Sequence, residues 1–205
     1  MVHGAAHFCC QHERVILAAI LLFGLLVRLP FAAVDFHTTN DIDTYRRWAR
    51  TIHVRGLATI YDGTDVNYPP LLLYVFGGAA SVEAHLPVVL RAGDGALTAL
   101  IKLSSILADV LTAWLIAWAL RRQGSVRHIL TCGLYAFNPA VWYVSTHWNQ
   151  TDSVYTPFLV ASVVALAQSA IYPAIFICVL IRDKFLSQND ERVWAHTVSP
   201  YTHWK

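Results

Sequence analysis

Apolar runs of membrane-crossing length recur along this chain and constrain its fold more than any other feature. Val15–Val34 is the first. A helical span needs about 20 apolar residues, and this run supplies them. Leu97–Leu120 is the second, His128–Thr146 the third and Val154–Ile181 the fourth. Within lipid, backbone N–H and C=O groups must be satisfied inside the segment. The expected fold is therefore all-α, a polytopic membrane protein with about four transmembrane helices. Composition agrees: of 205 residues, 56% are apolar and 14% charged, where a soluble domain would carry roughly 25% charged residues. The net charge of +2 is too small to argue for a nucleic-acid partner. The cysteines are Cys9, Cys10, Cys132 and Cys178, all outside the long polar loop. They suggest neither a disulfide framework nor a Cys-rich metal site. Cys9-Cys10 would suit palmitoylation in a eukaryote; ordinary free thiols are the plainer expectation.

The first run lacks a clear small-residue cleavage site and reads as a retained anchor. Pro69–Leu90 is apolar at first, then carries Glu83, His85 and Pro87. The distribution of basic residues decides whether it crosses. If it does not, His12 and Arg14, the Arg121–Arg127 loop and the tail beginning Arg182-Asp183-Lys184 all lie on the cytoplasmic side. If it does, the basic loop moves outside and the polar clusters of the chain separate. The four-span reading, with a cytoplasmic N-terminus, satisfies the charge rule at every short loop. Residues 1–181 then form one transmembrane module with an outer loop over residues 35–96, and residues 182–205 a polar, irregular cytoplasmic tail. Pro69–Ala80 becomes a helix lying in, or dipping into, the outer interface.

In that outer loop Ile42, Tyr45, Trp48, Ala49 and Ile52 recur at helical spacing, with Arg46, Arg47 and Arg50 on the other side. Asn40 or Asp41 can cap the start and Gly56 can end it. The pattern predicts an interfacial helix with its apolar face on lipid and its basic face toward headgroups. A passive amphipathic loop helix would show the same pattern. Asp41 sits where free N–H groups and the helix dipole favour an ionised carboxylate. Such a group just outside a bilayer can take a proton from a hydroxyl, as a general base does. Asp41 and Asp43 together could hold a divalent cation through oxygen ligands; two capping acids are the bland alternative. A second polar cluster, Trp148-Asn149-Gln150-Thr151-Asp152, lies between the third and fourth runs. With four spans, both clusters reach one membrane face.

The stretch Asp41-Ile42-Asp43-Thr44-Tyr45-Arg46-Arg47-Trp48 resembles the first outer-loop motif of the polytopic GT-C glycosyltransferases. Tyr68-Pro69-Pro70-Leu71, Ile106-Leu107-Ala108-Asp109 and Trp148-Asn149-Gln150-Thr151-Asp152-Ser153, the last preceded by Asn138-Pro139, are similar to later landmarks of those enzymes. Order and spacing agree from about Val15 to Pro157, although Asn149 replaces the usual Gly. The resemblance implies hexosyl transfer, of mannosyl or glucosyl type, from a polyprenyl or dolichyl phosphate sugar to a glycan or lipid-linked acceptor. It implies Asp41 as catalytic base, with Asp43, Gln150 and Asp152 binding sugar or acceptor and Tyr68 and the two prolines shaping the site. Arg46, Arg47 and Arg91 would meet the lipid phosphate; contact with anionic headgroups is their alternative role. No cofactor is implied beyond a divalent cation in a metal-dependent variant, which resembles an oligosaccharyltransferase and would use Asp41, Asp43 and Asp152 as ligands. A non-enzymatic polytopic protein or transporter fragment is the alternative outside enzymology. Members of the superfamily are much longer, so a truncated product, or a fold completed by a second chain, is expected. A bacterial plasma membrane is the expected location, ahead of the endoplasmic reticulum.

Lys102 and Asp109 lie seven residues apart in the second run, on one face but about 10.5 Å apart along the axis. Asp109 reads as structural, being too deep for the outer surface, and Arg28 as snorkelling from the end of the first run. Asn149-Gln150-Thr151 forms a glycosylation sequon in a loop too short to be reached, so it reads as coincidence. The ten histidines show no metal spacing, and only His147 lies near a polar cluster.

Overall fold

The computed structural model describes residues 2–36, 40–61, 66, 68–91, 93–148, 150–170, 173 and 177, with side chains from residue 12 onward. Asn67, Asn149, Cys178 and the tail Arg182–Lys205 lie outside the described residues, as do the side chains of Cys9 and Cys10. Among the described residues seven α-helices follow in order: α1 (Val2–Arg28), α2 (Asp41–Arg55), α3 (Pro70–His85), α4 (Gly95–Leu120), α5 (Ser125–Ala136), α6 (Pro139–Thr146) and α7 (Thr156–Ala167). Short 3₁₀ turns connect some of them, and no strand occurs among the described residues. Two helical stretches, His12–Phe31 and Gly95–Gln123, are long and apolar enough to cross a membrane. Asp152–Ala167 is apolar but shorter.

The expected third span is two helices. Hydropathy reads His128–Thr146 as one run, but α5 stops at Ala136 and α6 starts at Pro139. Proline cannot donate to the preceding turn and pushes the residue before it out of helical backbone. Asn138 is accordingly extended, and its side chain accepts from the Ala140 N–H at 2.9 Å. The Arg121–Arg127 region makes the reversal between α4 and α5, where Gly124 has φ +111°. L side chains seldom adopt that conformation.

Helix α4 is the central element, packing against α1, α2, α3, α5, α6 and α7. A polar stripe runs along its buried side. Thr98, Lys102, Ser105, Asp109 and Thr112 recur at intervals of four, three, four and three residues and are all buried. Each of the first four reaches another part of the chain. Thr98 accepts a hydrogen bond from Arg46 Nη1 at 2.8 Å. Lys102 Nζ donates to the carbonyls of Thr146 (2.9 Å), Phe31 (3.4 Å) and Val34. Ser105 Oγ donates to the Gln150 carbonyl at 3.3 Å. Asp109 faces Arg28 Nε at 3.9 Å. Carbonyls at a helix C-terminus lack intrahelical donors, so a cation delivered from another helix suits them. Lys102 does this for the turn after α1 and for the end of α6.

Arg28 does not snorkel. It is 2% exposed, donates to Gly24 O and Ala136 O at 2.7 Å each, and faces Asp109. The end of α5 supplies a bare carbonyl and α4 a carboxylate, so the guanidinium gains more inward than outward. Asp109 is buried on α4, where its ion pair with Arg28 joins α4 to α1.

The apolar face of α2 meets protein. Ile42, Tyr45, Trp48, Ala49 and Ile52 are buried in one cluster with Leu72, Leu73, Phe76, Ala79 and Ala80 of α3 and with Leu97 and Ile101 of α4. Helical periodicity locates an apolar face correctly but does not say what covers it. Gly56 ends α2, with its N–H on Ile52 O at 2.8 Å. Asn40 precedes the helix without a side-chain capping bond. At Gly77, a Cβ would lie 2.7 Å from Ile52 Cγ2, so α3 reaches α2 only through a glycine.

Two stability measurements check this packing. Lys102→Met should lower unfolding stability in detergent by on the order of 3 kcal/mol, because buried carbonyls lose their charged donor. Gly77→Ala should cost about 1–3 kcal/mol by overpacking, and adding Ile52→Ala should recover part of that loss. Strictly additive effects in the cycle would contradict the close approach.

Candidate functional site

The two polar clusters meet. Gln150 Nε2 donates to Asp41 Oδ2 at 2.8 Å across 109 residues of sequence. Each partner is placed by the fold beneath it. Asp41 is the first residue of α2, which the α3 and α4 packing holds in position. Gln150 follows α6, with its N–H on Val144 O at 3.3 Å and its carbonyl held by Ser105. Lys102, one turn before Ser105, holds Thr146 at the end of α6. The polar face of α4 therefore sets the height of the second cluster against the first.

Tyr68 completes the group. Its ring lies against Trp48 (centroids 5.5 Å apart) and edge-on to Tyr45 (5.7 Å), while Tyr45 stacks on Phe76 at 5.0 Å. The Tyr45 and Tyr68 hydroxyls are 3.0 Å apart, in hydrogen-bond contact. Burial pushes the Tyr68 phenol above its ordinary value; the bond with Tyr45 opposes this, and the charges of Asp152 and Asp41 add to the rise. Burial is likewise the first cause for Tyr45, with Tyr68 and Asp41 adding to it and the Thr151 hydroxyl opposing. Asp41, Tyr45, Tyr68, Thr151 and Asp152 therefore share one electrostatic neighbourhood. Asp152 is exposed at the start of a short 3₁₀ turn, and Asp41 is half-buried.

Asp43 and Arg46 are engaged with each other and with the start of α4. Arg46 is buried, and besides Thr98 its guanidinium meets Asp43, Asp35 (3.4 Å) and Asp94 (3.9 Å). The basic face expected of α2 therefore loses Arg46 to the interior. Arg50 donates to Asp94 at 2.6 Å. That hydrogen bond is the main cause holding the Asp94 carboxyl below the usual carboxylate range; burial opposes it, and the charges of Arg46 and Arg50 add to the lowering. This network joins α2 to the mouth of α4, and Arg46 is committed to it. Among the described residues, no three of His, Cys, Asp and Glu are gathered as a metal ion would require. His147 stacks on Phe36 at 4.2 Å and on Tyr143 at 4.9 Å, within an aromatic group beside the second cluster.

Tyr45, Thr151, Thr98 and Ser105 are the members that sequence patterns leave out. Tyr45 counts as apolar in any periodicity, yet it lies one turn after Asp41 on the same face. Thr98 and Ser105 were detectable from their register with Lys102 and Asp109.

No protein-family model, curated protein or solved structure matches this chain.

The shifted phenols give a pH prediction. A tyrosine whose folded value is raised contributes its full stability below the unfolded value of about 10. Above that, the unfolded chain releases a proton that the folded chain keeps, so stability falls as pH rises. The unfolding midpoint should drop beyond about pH 10. The drop should be smaller in a Tyr45→Phe, Tyr68→Phe double variant. Ultraviolet titration of the native protein should show these two phenols ionising after the exposed tyrosines.

Proposed function

We propose that this chain is a membrane-embedded glycosyltransferase module of GT-C type, using a polyprenyl or dolichyl phosphate sugar as donor. Its acceptor is the hydroxyl of a glycan or lipid-linked glycan. The carrying observation is the Gln150–Asp41 hydrogen bond, which makes one site of the two clusters that carry the resemblance. In this reading α1, α4, the α5–α6 pair and the α7 region cross the membrane, with the N-terminus and the Arg121–Arg127 loop cytoplasmic in a bacterial plasma membrane. The exposed apolar stripes support lipid contact: Leu107, Leu111, Trp114 and Trp118 on α4, Val126, Leu130 and Leu134 on α5, and Leu159, Val163 and Leu166 on α7. Arg121 lies 4.2 Å over the Trp118 ring, an aromatic–basic pairing suited to a membrane boundary.

The site suits its substrate. A lipid-phosphate sugar keeps its phosphate at headgroup level, so the reacting carbon stays at the boundary where α2 meets α4. Asp41 takes the proton of the acceptor hydroxyl as that oxygen attacks the anomeric carbon. The bond from carbon to phosphate oxygen breaks with inversion, and the lipid phosphate departs with the electron pair. Gln150 orients the carboxylate, and Asp152 and Tyr68 hold sugar hydroxyls. Asp43 acts through the Arg46 network, which positions α2. The metal-dependent alternative draws no support from the arrangement, because Asp43 is turned to Arg46.

The test supplies detergent-purified protein with polyprenyl-phosphate hexoses and lipid-linked acceptors and follows glycolipid product. Asp41→Asn should lower turnover by about 10²–10⁴-fold, the usual contribution of a general base. Equal turnover by parent and variant would overturn the assignment.

A further inference from the structure

The turn between α3 and α4 exposes apolar side chains that the packing of α3 leaves unexplained. Val88, Val89 and Leu90 are 73%, 84% and 58% exposed, and Val82 on the last turns of α3 joins them. By contrast, the Leu72, Leu73, Phe76 and Ala80 face of α3 is buried against protein. The membrane contact expected of Pro69–Ala80 is therefore not made by that face. We propose that residues 86–91 form a lipid-inserting tip that seats the α2–α3 arm on the outer leaflet.

Three observations commit the tip to lipid. First, continuity: Leu90 lies five residues before Gly95, where the apolar helix α4 begins. The tip thus directly precedes, in sequence, a helix long and apolar enough to cross a membrane. Second, backbone closure: the N–H of Leu90 bonds Pro87 O at 2.9 Å, and that of Arg91 bonds Pro87 O and Val88 O at 3.3 and 3.1 Å. The N–H of Leu86 closes on Glu83 O at 3.0 Å, and Pro87 has no N–H to satisfy. These internal bonds lower the cost of taking the Leu86, Leu90 and Arg91 N–H groups out of water. Third, charge placement: residues 86–90 carry no ionisable group, while Arg91 follows at once and is exposed. An apolar wedge ending in a cation matches acyl chains beneath anionic headgroups. The inference rests on the membrane reading and not on the transferase chemistry.

Site-directed spin labelling tests it in the full chain reconstituted into phosphatidylethanolamine–phosphatidylglycerol vesicles. The native cysteines are replaced by serine, and single labels are placed through Val89→Cys, Leu111→Cys and Arg47→Cys. Leu111, on the exposed face of α4, is the lipid reference, and the exposed Arg47 is the aqueous one. Collision rates are measured with oxygen, which concentrates in lipid, and with a water-soluble nickel chelate. The tip predicts an oxygen-to-nickel ratio at Val89 several-fold above that at Arg47 and approaching that at Leu111. A Val89 label that collides with nickel as readily as the Arg47 label overturns the proposal while leaving the membrane reading intact. A Val89 label shielded from both reagents means that protein covers the turn, and also overturns it. If the Leu111 label itself reads as aqueous, the membrane reading fails and the tip fails with it.

Discussion

Lys102 is a cation placed in an apolar helix, 2% exposed, and most of the fold is arranged around keeping it satisfied. An ammonium taken out of water is costly unless it is paired or hydrogen-bonded. Hydrogen bonds from a charged donor return about 1.5–3 kcal/mol each. The cost is offset only if several carbonyls converge on the ammonium, and carbonyls converge only where helices end. The turn after α1 and the end of α6 are therefore brought together at one height on α4. The same logic repeats seven residues later. There Arg28 reaches the carbonyl end of α5 and faces Asp109. Two buried cations and the helix ends they satisfy set the register of three helices, α1, α5 and α6, against α4.

Much of this was legible in the chain. The bounds of α2 followed from Asn40 or Asp41, the apolar spacing and Gly56; that Lys102 and Asp109 share one face of Leu97–Leu120 followed from their spacing. The break at Asn138 was written in Pro139, yet hydropathy averages across a single proline and reports a continuous run. What covers an apolar face was not legible. Tyr45 and Trp48 would suit headgroups as well as they suit Phe76 and Tyr68, and only the position of α3 decides between them. The inward turn of Arg28 was hidden for a related reason. A long side chain can reach in two directions, and the partner that draws it inward, Ala136 O, lies 108 residues away.

The candidate site inherits its register from the bundle. Gln150 meets Asp41 because Ser105 and Lys102 fix the chain on either side of the α6 exit, and both belong to the polar face of α4. The residues that look chemical and those that look structural form one continuous set of contacts. A change at Ser105, well below Asp41, would be felt in the orientation of the carboxylate. Neither cluster alone defines a site, which is why spacing within each one says so little about chemistry.

The division of polar partners on α2 also bears on the proposed chemistry. The helix carries two carboxylates on its first turn, and the fold treats them differently. Asp43 is given to a guanidinium that three carboxylates share. Asp41 is met by the neutral amide of Gln150. The arginine is thus engaged in holding α2 to α4, and the proposed proton transfer falls to the carboxylate that Gln150 orients.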